Sequence, residues 1–326
     1  MAEFDLIELI RARVAPGDGV ALGIGDDAAL LRVPAGQELV VTADTLNDGV
    51  HFPAGTAAAD VGWKALAVNL SDLASMGARP AWCTLSLSLP QADAAWLEGF
   101  LDGFLELARL HGTTLVGGDT TRGPLSIAVT AMGWVEAGAA LRRDRARAGD
   151  DVWVTGTLGD AAASLVLVGH VPPPTEGAVP SPDPATVAAL AQRLQRPTPR
   201  VAAGRALLGL AHACVDVSDG LLADLRHVCA RSRVGAEISV GGLPASDALR
   251  RAFGDGRVAL QASGGDDYEL CFTAPPGLRE AVALALEQAG VDATRIGRIV
   301  AGNGVHALGA DGLPWQPARG GYVHFG

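Results

Sequence analysis

Aspartate recurs along this chain in short clusters flanked by glycine or hydroxyl residues: Gly23-Ile24-Gly25-Asp26-Asp27, Thr42-Ala43-Asp44-Thr45, Asn69-Leu70-Ser71-Asp72, Gly117-Gly118-Asp119-Thr120-Thr121, Asp216-Val217-Ser218-Asp219-Gly220 and Gly264-Gly265-Asp266-Asp267. Taken singly, each reads as an ordinary solvated turn, because Asp and Gly favour turns for backbone reasons. Asp26-Asp27 also suits a helix N-cap. Six such segments in one chain imply more than turns. Brought together by a fold, their carboxylates would repel one another, and hard divalent cations with oxygen ligands relieve that repulsion. Magnesium is favoured where phosphate oxygens complete the shell.

Other nucleotide chemistries fit less well. Residues 23–28, GIGDDA, match the relaxed dinucleotide pattern GxGxxA, but two carboxylates there oppose a pyrophosphate unless a metal intervenes. A Walker A loop is excluded, since Lys64 is the only lysine and sits in GWKALA. Phosphoryl charge must then be met by metals and arginines. Arg122 follows the GGDTT segment, and Arg142, Arg143 and Arg145 cluster downstream. Guanidinium groups bind phosphate in bidentate fashion, and a solvated basic linker is the alternative reading. His51 lies just beyond Asp44, and Tyr322 and Phe325 close the chain in GYVHF, where aromatic faces suit a cationic heterocycle. No GxSxG elbow and no CxxC pair is present, and each of the four cysteines sits among apolar neighbours as a buried thiol would.

The elements that must carry these residues alternate. The spacing predicts helices over 3–14, 57–76, 93–110, 185–195, 199–212, 218–232 and 277–289. Strands are predicted over 28–33, 38–42, 81–89, 113–117, 125–135, 236–240, 268–273 and 295–300, giving an α/β (α+β) class. The charged segment Leu141–Asp151 marks a boundary, so that 1–145 forms one domain and 146–326 a second. Prolines make 171–184 a surface loop within the second domain. With 326 residues and 49% hydrophobic content the chain can bury two cores. A net charge of −11 argues against nucleic acid as a partner. The N-terminus lacks a signal-peptide pattern, and no apolar run is long enough for a membrane span, so a cytoplasmic protein is expected.

In order and over nearly the whole length, GIGDDAALL, VTADTLNDGVHF, WKALAVNLSDLASMGA, GGDTTRGPLSI, VTGTLGDAAA, VDVSDGLLADL, SGGDDYELCFT and GYVHF resemble the thiamine-monophosphate kinase family. That family shares its fold with aminoimidazole ribonucleotide synthetase, selenophosphate synthetase and a hydrogenase-maturation dehydratase. The resemblance implies a two-domain fold of the synthetase type whose N-terminal domains pair in a homodimer through a shared barrel, with the active site in a cleft between domains. It implies ATP as co-substrate and several magnesium ions. Asp27, Thr42, Ala43 (through its backbone), Asp44, Asp72, Asp119, Asp216 and Asp219 would bind metal. Asp102, Gly118, Asp119, Arg143 and Ser218 would contact ATP, and His51, Asp266 and Tyr322 thiamine monophosphate. Asp44, Asp72 and Asp119 would carry catalysis. Three positions depart from the family pattern: Ala43 replaces a hydroxyl residue, Asp266 a glutamate, and Ala139-Ala140 a Gly-Arg pair. An ATP-dependent synthetase or dehydratase of the same superfamily, and a non-catalytic magnesium–nucleotide sensor, are the alternatives. Neither the N-terminal Cys or Sec loop of selenophosphate synthetase nor the C-terminal cysteine of the dehydratase is present.

Overall fold

The computed structural model describes residues 3–173, 179–317 and 321. By compactness the chain divides into one unit of residues 1–73 and 78–140 and another of 74–77 and 141–326. The first unit runs α1 (Glu3–Arg13), β1 (Val20–Leu22), β2 (Leu30–Leu31), β3 (Gln37–Asn47), α2 (Ala58–Ser75), β4 (Arg79–Leu89), α3 (Ala94–Leu110), β5 (Thr114–Arg122) and β6 (Ser126–Glu136). The second runs β7 (Asp151–Thr155), α4 (Asp160–Leu167), α5 (Pro184–Gln195), α6 (Val201–Ala206), β8 (Ala213–Asp216), α7 (Leu221–Ser232) and β9 (Gly235–Ser239). It continues with α8 (Asp247–Phe253), α9 (Arg257–Ser263), β10 (Leu270–Ala274), α10 (Arg279–Gln288), β11 (Ala293–Val300) and β12 (Gly304–Leu308).

In the first unit, four strands pair in the order β3-β6-β4-β5. Strand β6 alternates cleanly, with Ile127, Val129, Ala131 and Val135 buried and Ala128, Thr130, Met132 and Trp134 half-buried. Period-two alternation of this kind gives a sheet one covered face and one open face. Helix α2 lies on the covered face, and α3 packs against α2 through two glycines. A Cβ at Gly62 would stand 2.0 Å from the Phe100 carbonyl oxygen, and one at Gly103 would stand 1.8 Å from that of Ala59. On the open face the β1–β2 hairpin covers one end, packing Val20 and Leu31 around Trp82, which meets Trp134 edge-on at 5.2 Å. Leu39 and Val41 on β3 remain 48% and 55% exposed there.

The second unit is a six-stranded sheet, β12-β9-β11-β7-β10-β8, antiparallel except for the parallel β12–β9 pair. Val152, Val154, Val215, Leu221, Leu225 and Ile238 belong to one buried cluster, and Ala163, Val166, Leu190 and Leu249 of α4, α5 and α8 to another. All four cysteines are buried free thiols, as expected from their neighbours. Among the described residues no helix is long and apolar enough to cross a membrane.

Several sequence expectations need correction. The strand expected over 28–33 shrinks to Leu30–Leu31, and the helix over 199–212 ends at Ala206. Gly209 then adopts φ 77°, and the chain turns into β8, a four-residue strand too short and too apolar for its period to be read. Helices α8 and α9 and strand β12 were not anticipated. The largest correction concerns the aspartate segments, which were read mostly as turns at element ends. Thr42–Thr45 lies inside β3, Asn69–Asp72 inside α2, and Gly117–Thr121 inside β5. Strand β5 survives its two glycines because it is paired closely with β4. Gly118 has φ 150°, and a Cβ there would meet the Leu85 carbonyl oxygen at 1.8 Å.

Candidate active site

In the first unit, α2 is fastened to β3 and the turn after it by polar contacts. Asp72 accepts a short hydrogen bond from the Thr42 hydroxyl. The Asn69 side-chain oxygen accepts the Asp44 backbone N–H at 3.0 Å, while its amide donates to Ala65 O at 3.0 Å. Asn69 is fully buried. A buried amide with both ends satisfied fixes the helix against the strand, since breaking either bond would leave a polar group without water. Thr42 and Asp44, two residues apart on a strand, point to the same face. That turns the Asp44 side chain to the α2 side of the sheet, the side on which Asp72 lies. Beyond the end of β3, His51 Nδ1 accepts the Asn47 backbone N–H at 3.0 Å. In the neutral ring the proton therefore sits on Nε2. The Lys64 ammonium donates to the His51 carbonyl oxygen at 2.9 Å.

Other expected residues of this unit lie elsewhere. The register runs Asp44–Val129–Leu85–Gly118 across the sheet, and Thr45–Ala128–Ser86–Asp119 in the next row. Asp119 is thus on the open face of one edge strand, whereas Asp44 is on the covered face of the other edge strand. Three strand spacings, about 14 Å, separate these edges. Ala43 also faces the open side, paired with Thr130. Asp27 is exposed, its N–H bonded to the Asp26 carboxylate at 2.8 Å. Asp102, on α3, is held by Arg13 at 2.6 Å.

In the second unit two loops are joined backbone to backbone. Ser218 O accepts the Asp266 N–H, and Val217 O accepts that of Tyr268, each at 2.9 Å. Asp216, Ser218, Asp219 and Asp266 are thereby gathered at one end of the sheet. Within the Asp266–Glu269 segment the residues alternate in role. Asp267, Tyr268 and Glu269 are buried, and Asp266 is half-buried. Asp267 accepts the Gly159 N–H at 2.9 Å, and Glu269 accepts Thr155 at 2.7 Å, Arg193 at 2.8 Å and Arg200 at 2.6 Å. Burial pushes the Asp267 carboxyl up. Asp266 and Tyr268 take left-handed conformations, φ 69° and 51°, and the Tyr268 hydroxyl donates to Asp266 at 3.0 Å. Non-glycine residues held there mark functional loops when the surroundings fix them, as the buried neighbours do here. Arg143 is exposed, its carbonyl accepting the Ser232 hydroxyl at 2.8 Å. Tyr322 lies outside the described residues.

Sequence reasoning missed the supports: Asn69, Lys64, Tyr268 and Asp224. Asp224 accepts the N–H groups of Ser218, Asp219 and Gly220, each at 3.1 Å, and so shapes the Asp216–Gly220 loop. Its signal was an acid in the first turn of a helix preceded by glycine. Burial, with Asp219 beside it, pushes the Asp224 carboxyl up to about 7 against those three bonds. A carboxyl raised in the folded state contributes stability that is whole below the ordinary carboxylate range and is lost as pH rises through about 7. Metal-free protein should therefore melt at lower temperature as pH rises from about 5 to 8. Asp224→Asn, which keeps an oxygen acceptor and has no proton to lose, should flatten that slope. Melting curves in chelator check this, and equal slopes in the two proteins would contradict it.

The donors gathered in each unit are hard oxygens, which suits magnesium. Among the described residues no three carboxylate, histidine or cysteine side chains stand close enough to hold an ion alone. The residues thus fit an ion that keeps water and shares substrate phosphate oxygens, and do not fit a closed protein cage.

Residues 25–135 match the N-terminal domain of AIR synthase related protein, and 147–308 match its C-terminal domain. The thiamine-monophosphate kinase of Salmonella typhimurium is 45% identical over 326 residues, covering 99% of this chain and 98% of the relative. The crystal structure of the Stenotrophomonas maltophilia thiamine-monophosphate kinase superposes with a TM-score of 0.85 at 57% identity, covering 96% of this chain and 97% of that one. AaThiL complexed with AMPPCP and TMP superposes at 0.77 with 34% identity, covering 99% and 97%. An α/β fold of paired AIR synthase related domains and near-full-length identity at this level together show that the chain belongs to the thiamine-monophosphate kinase family.

Proposed function

We propose that this protein transfers the γ-phosphoryl group of ATP to the phosphate of thiamine monophosphate, giving thiamine diphosphate and ADP. The observation that carries this reading is the fastening of β3 to α2 at the Thr42 hydroxyl and the Asp44 backbone, which sets Thr42, Asp44 and Asp72 on one side of the sheet with His51 at the next turn. The acceptor supplies its own nucleophile, a phosphate oxygen largely ionised at neutral pH, so no strong general base is required and transfer is direct. The difficulty is to hold two polyanions in line. Magnesium held by Asp27, Thr42, Ala43, Asp44, Asp72, Asp119, Asp216 and Asp219 supplies the neutralising charge when bound. Gly118, Asp119, Arg143 and Ser218 are assigned to ATP, with Asp102 if it leaves Arg13. His51, through Nε2–H, Asp266 and Tyr322 are assigned to the thiamine compound.

The working unit is a homodimer in the cytoplasm. The exposed Leu39 and Val41 on the open sheet face support pairing. So does the placement of Asp119, on the edge strand opposite the one that carries Asp44. A barrel closed from two such sheets sets the β5 edge of one copy beside the β3 edge of the other. The domain division at 145/146 stays part of this reading.

The deciding experiment uses ATP labelled in its γ-phosphate. The label should appear as the terminal phosphate of thiamine diphosphate, with free phosphate at background. Label released as phosphate in step with ADP, and no diphosphate formed, would replace the kinase by a synthetase-type reaction. No turnover at all would leave a nucleotide sensor.

A further inference from the structure

Of the chain's 25 basic residues only one is a lysine. It is also 2% exposed, in a protein whose other cations are all arginines. Lysine is almost never fully buried without a specific partner, because its compact ammonium loses strong hydration. Lys64 is on α2, on the same helix as Asn69 and Asp72, and its Nζ donates at 2.9 Å to the carbonyl oxygen of His51. Along α2 the three polar contacts thus run in reverse order along β3: Asp72 to Thr42, Asn69 to Asp44, and Lys64 to the turn beyond Asn47. The turn itself is tied at Asn47, whose carbonyl accepts the N–H groups of Val50 and His51 at 3.2 and 3.0 Å, and whose own N–H goes to His51 Nδ1.

We infer that Lys64 is a positioning residue for the thiamine compound. It fixes the backbone of His51 so that the ring, with Nδ1 accepting the Asn47 N–H, is held in one orientation for the substrate. A hydrogen bond from a charged donor is the stronger kind. A flat guanidinium needs room for five donors, which explains why arginine, used everywhere else, does not stand here. The inference rests on the proposed contact between His51 and thiamine monophosphate.

The test compares Lys64→Met, Lys64→Gln, His51→Ala and the double variant Lys64→Met/His51→Ala, by steady-state kinetics in both substrates and by thermal melting. Lys64→Met should raise KM for thiamine monophosphate about tenfold or more, with KM for ATP and kcat within about threefold of wild type. Lys64→Gln, which keeps an N–H donor, should lose less. The double variant should be no worse than His51→Ala, since the two residues act as one unit. Additive losses in the double variant, equal loss for both substrates, or failure of both lysine variants to fold would show Lys64 to be a fold residue and overturn the inference. A silent His51→Ala would instead remove the assignment of His51, and the inference with it, while leaving the kinase reaction measured in the same assay intact.

Discussion

Asp72→Asn should lower turnover by about a thousandfold or more while leaving the protein folded. Asp72 is half-buried and takes the Thr42 hydroxyl on one oxygen. An asparagine of the same shape can still accept that bond, so the α2–β3 seam survives. What disappears is a full negative charge, which under the proposed function would hold magnesium against the phosphates of two substrates. Losses of single groups that stabilise developing charge are worth several kcal/mol in barrier height. The check is kcat at saturating magnesium together with the melting temperature. Near-normal kcat would remove Asp72 from the site, and a collapse of the melting temperature would show that the carboxylate is needed for folding.

A mixture of two inactive subunits should regain activity. Asp119→Asn is expected to be as damaging as Asp72→Asn, yet Asp72 lies on α2 against β3, at one edge of the sheet, and Asp119 on β5 at the other. If each site combines the Asp72 of one copy with the Asp119 of its partner, a mixed dimer holds one intact site and one doubly damaged site. Random pairing of equal amounts makes half the dimers mixed, which sets the ceiling at about a quarter of wild-type activity. Co-expression with two different tags and purification of the mixed species would read this directly. A mixture no more active than its parents would mean that each chain builds its site alone, and would require the strand edges to part.

The sequence exposed the chemistry more fully than its placement. Aspartates with glycine and hydroxyl neighbours could be recognised because their types are unusual at that density, whatever the fold. Their setting could not, because Asp and Gly locally favour turns, and only tertiary packing keeps Asp44 in β3 and Asp119 in β5. Helix α2 was legible almost to the residue, 57–76 against Ala58–Ser75, since Trp63, Leu66, Leu70 and Leu73 carry its period. The polar residues interleaved with them, Lys64 and Asn69, had no pattern of their own. Their meaning appears only once β3 lies alongside. Asp224 was hidden in a similar way, because three N–H groups from one loop converge on it only after the chain has turned into α7.

The alternation in Asp266–Glu269 divides labour within four consecutive residues. Asp267 and Glu269 are rooted in Gly159, Thr155, Arg193 and Arg200, and the fold of the second unit depends on them. Asp266 and Tyr268 are carried on that root and face the partner loop. What Asp266 reaches can therefore change without touching Asp267 or Glu269. A longer or shorter side chain at Asp266 would alter the reach of one group and leave that anchorage as it is.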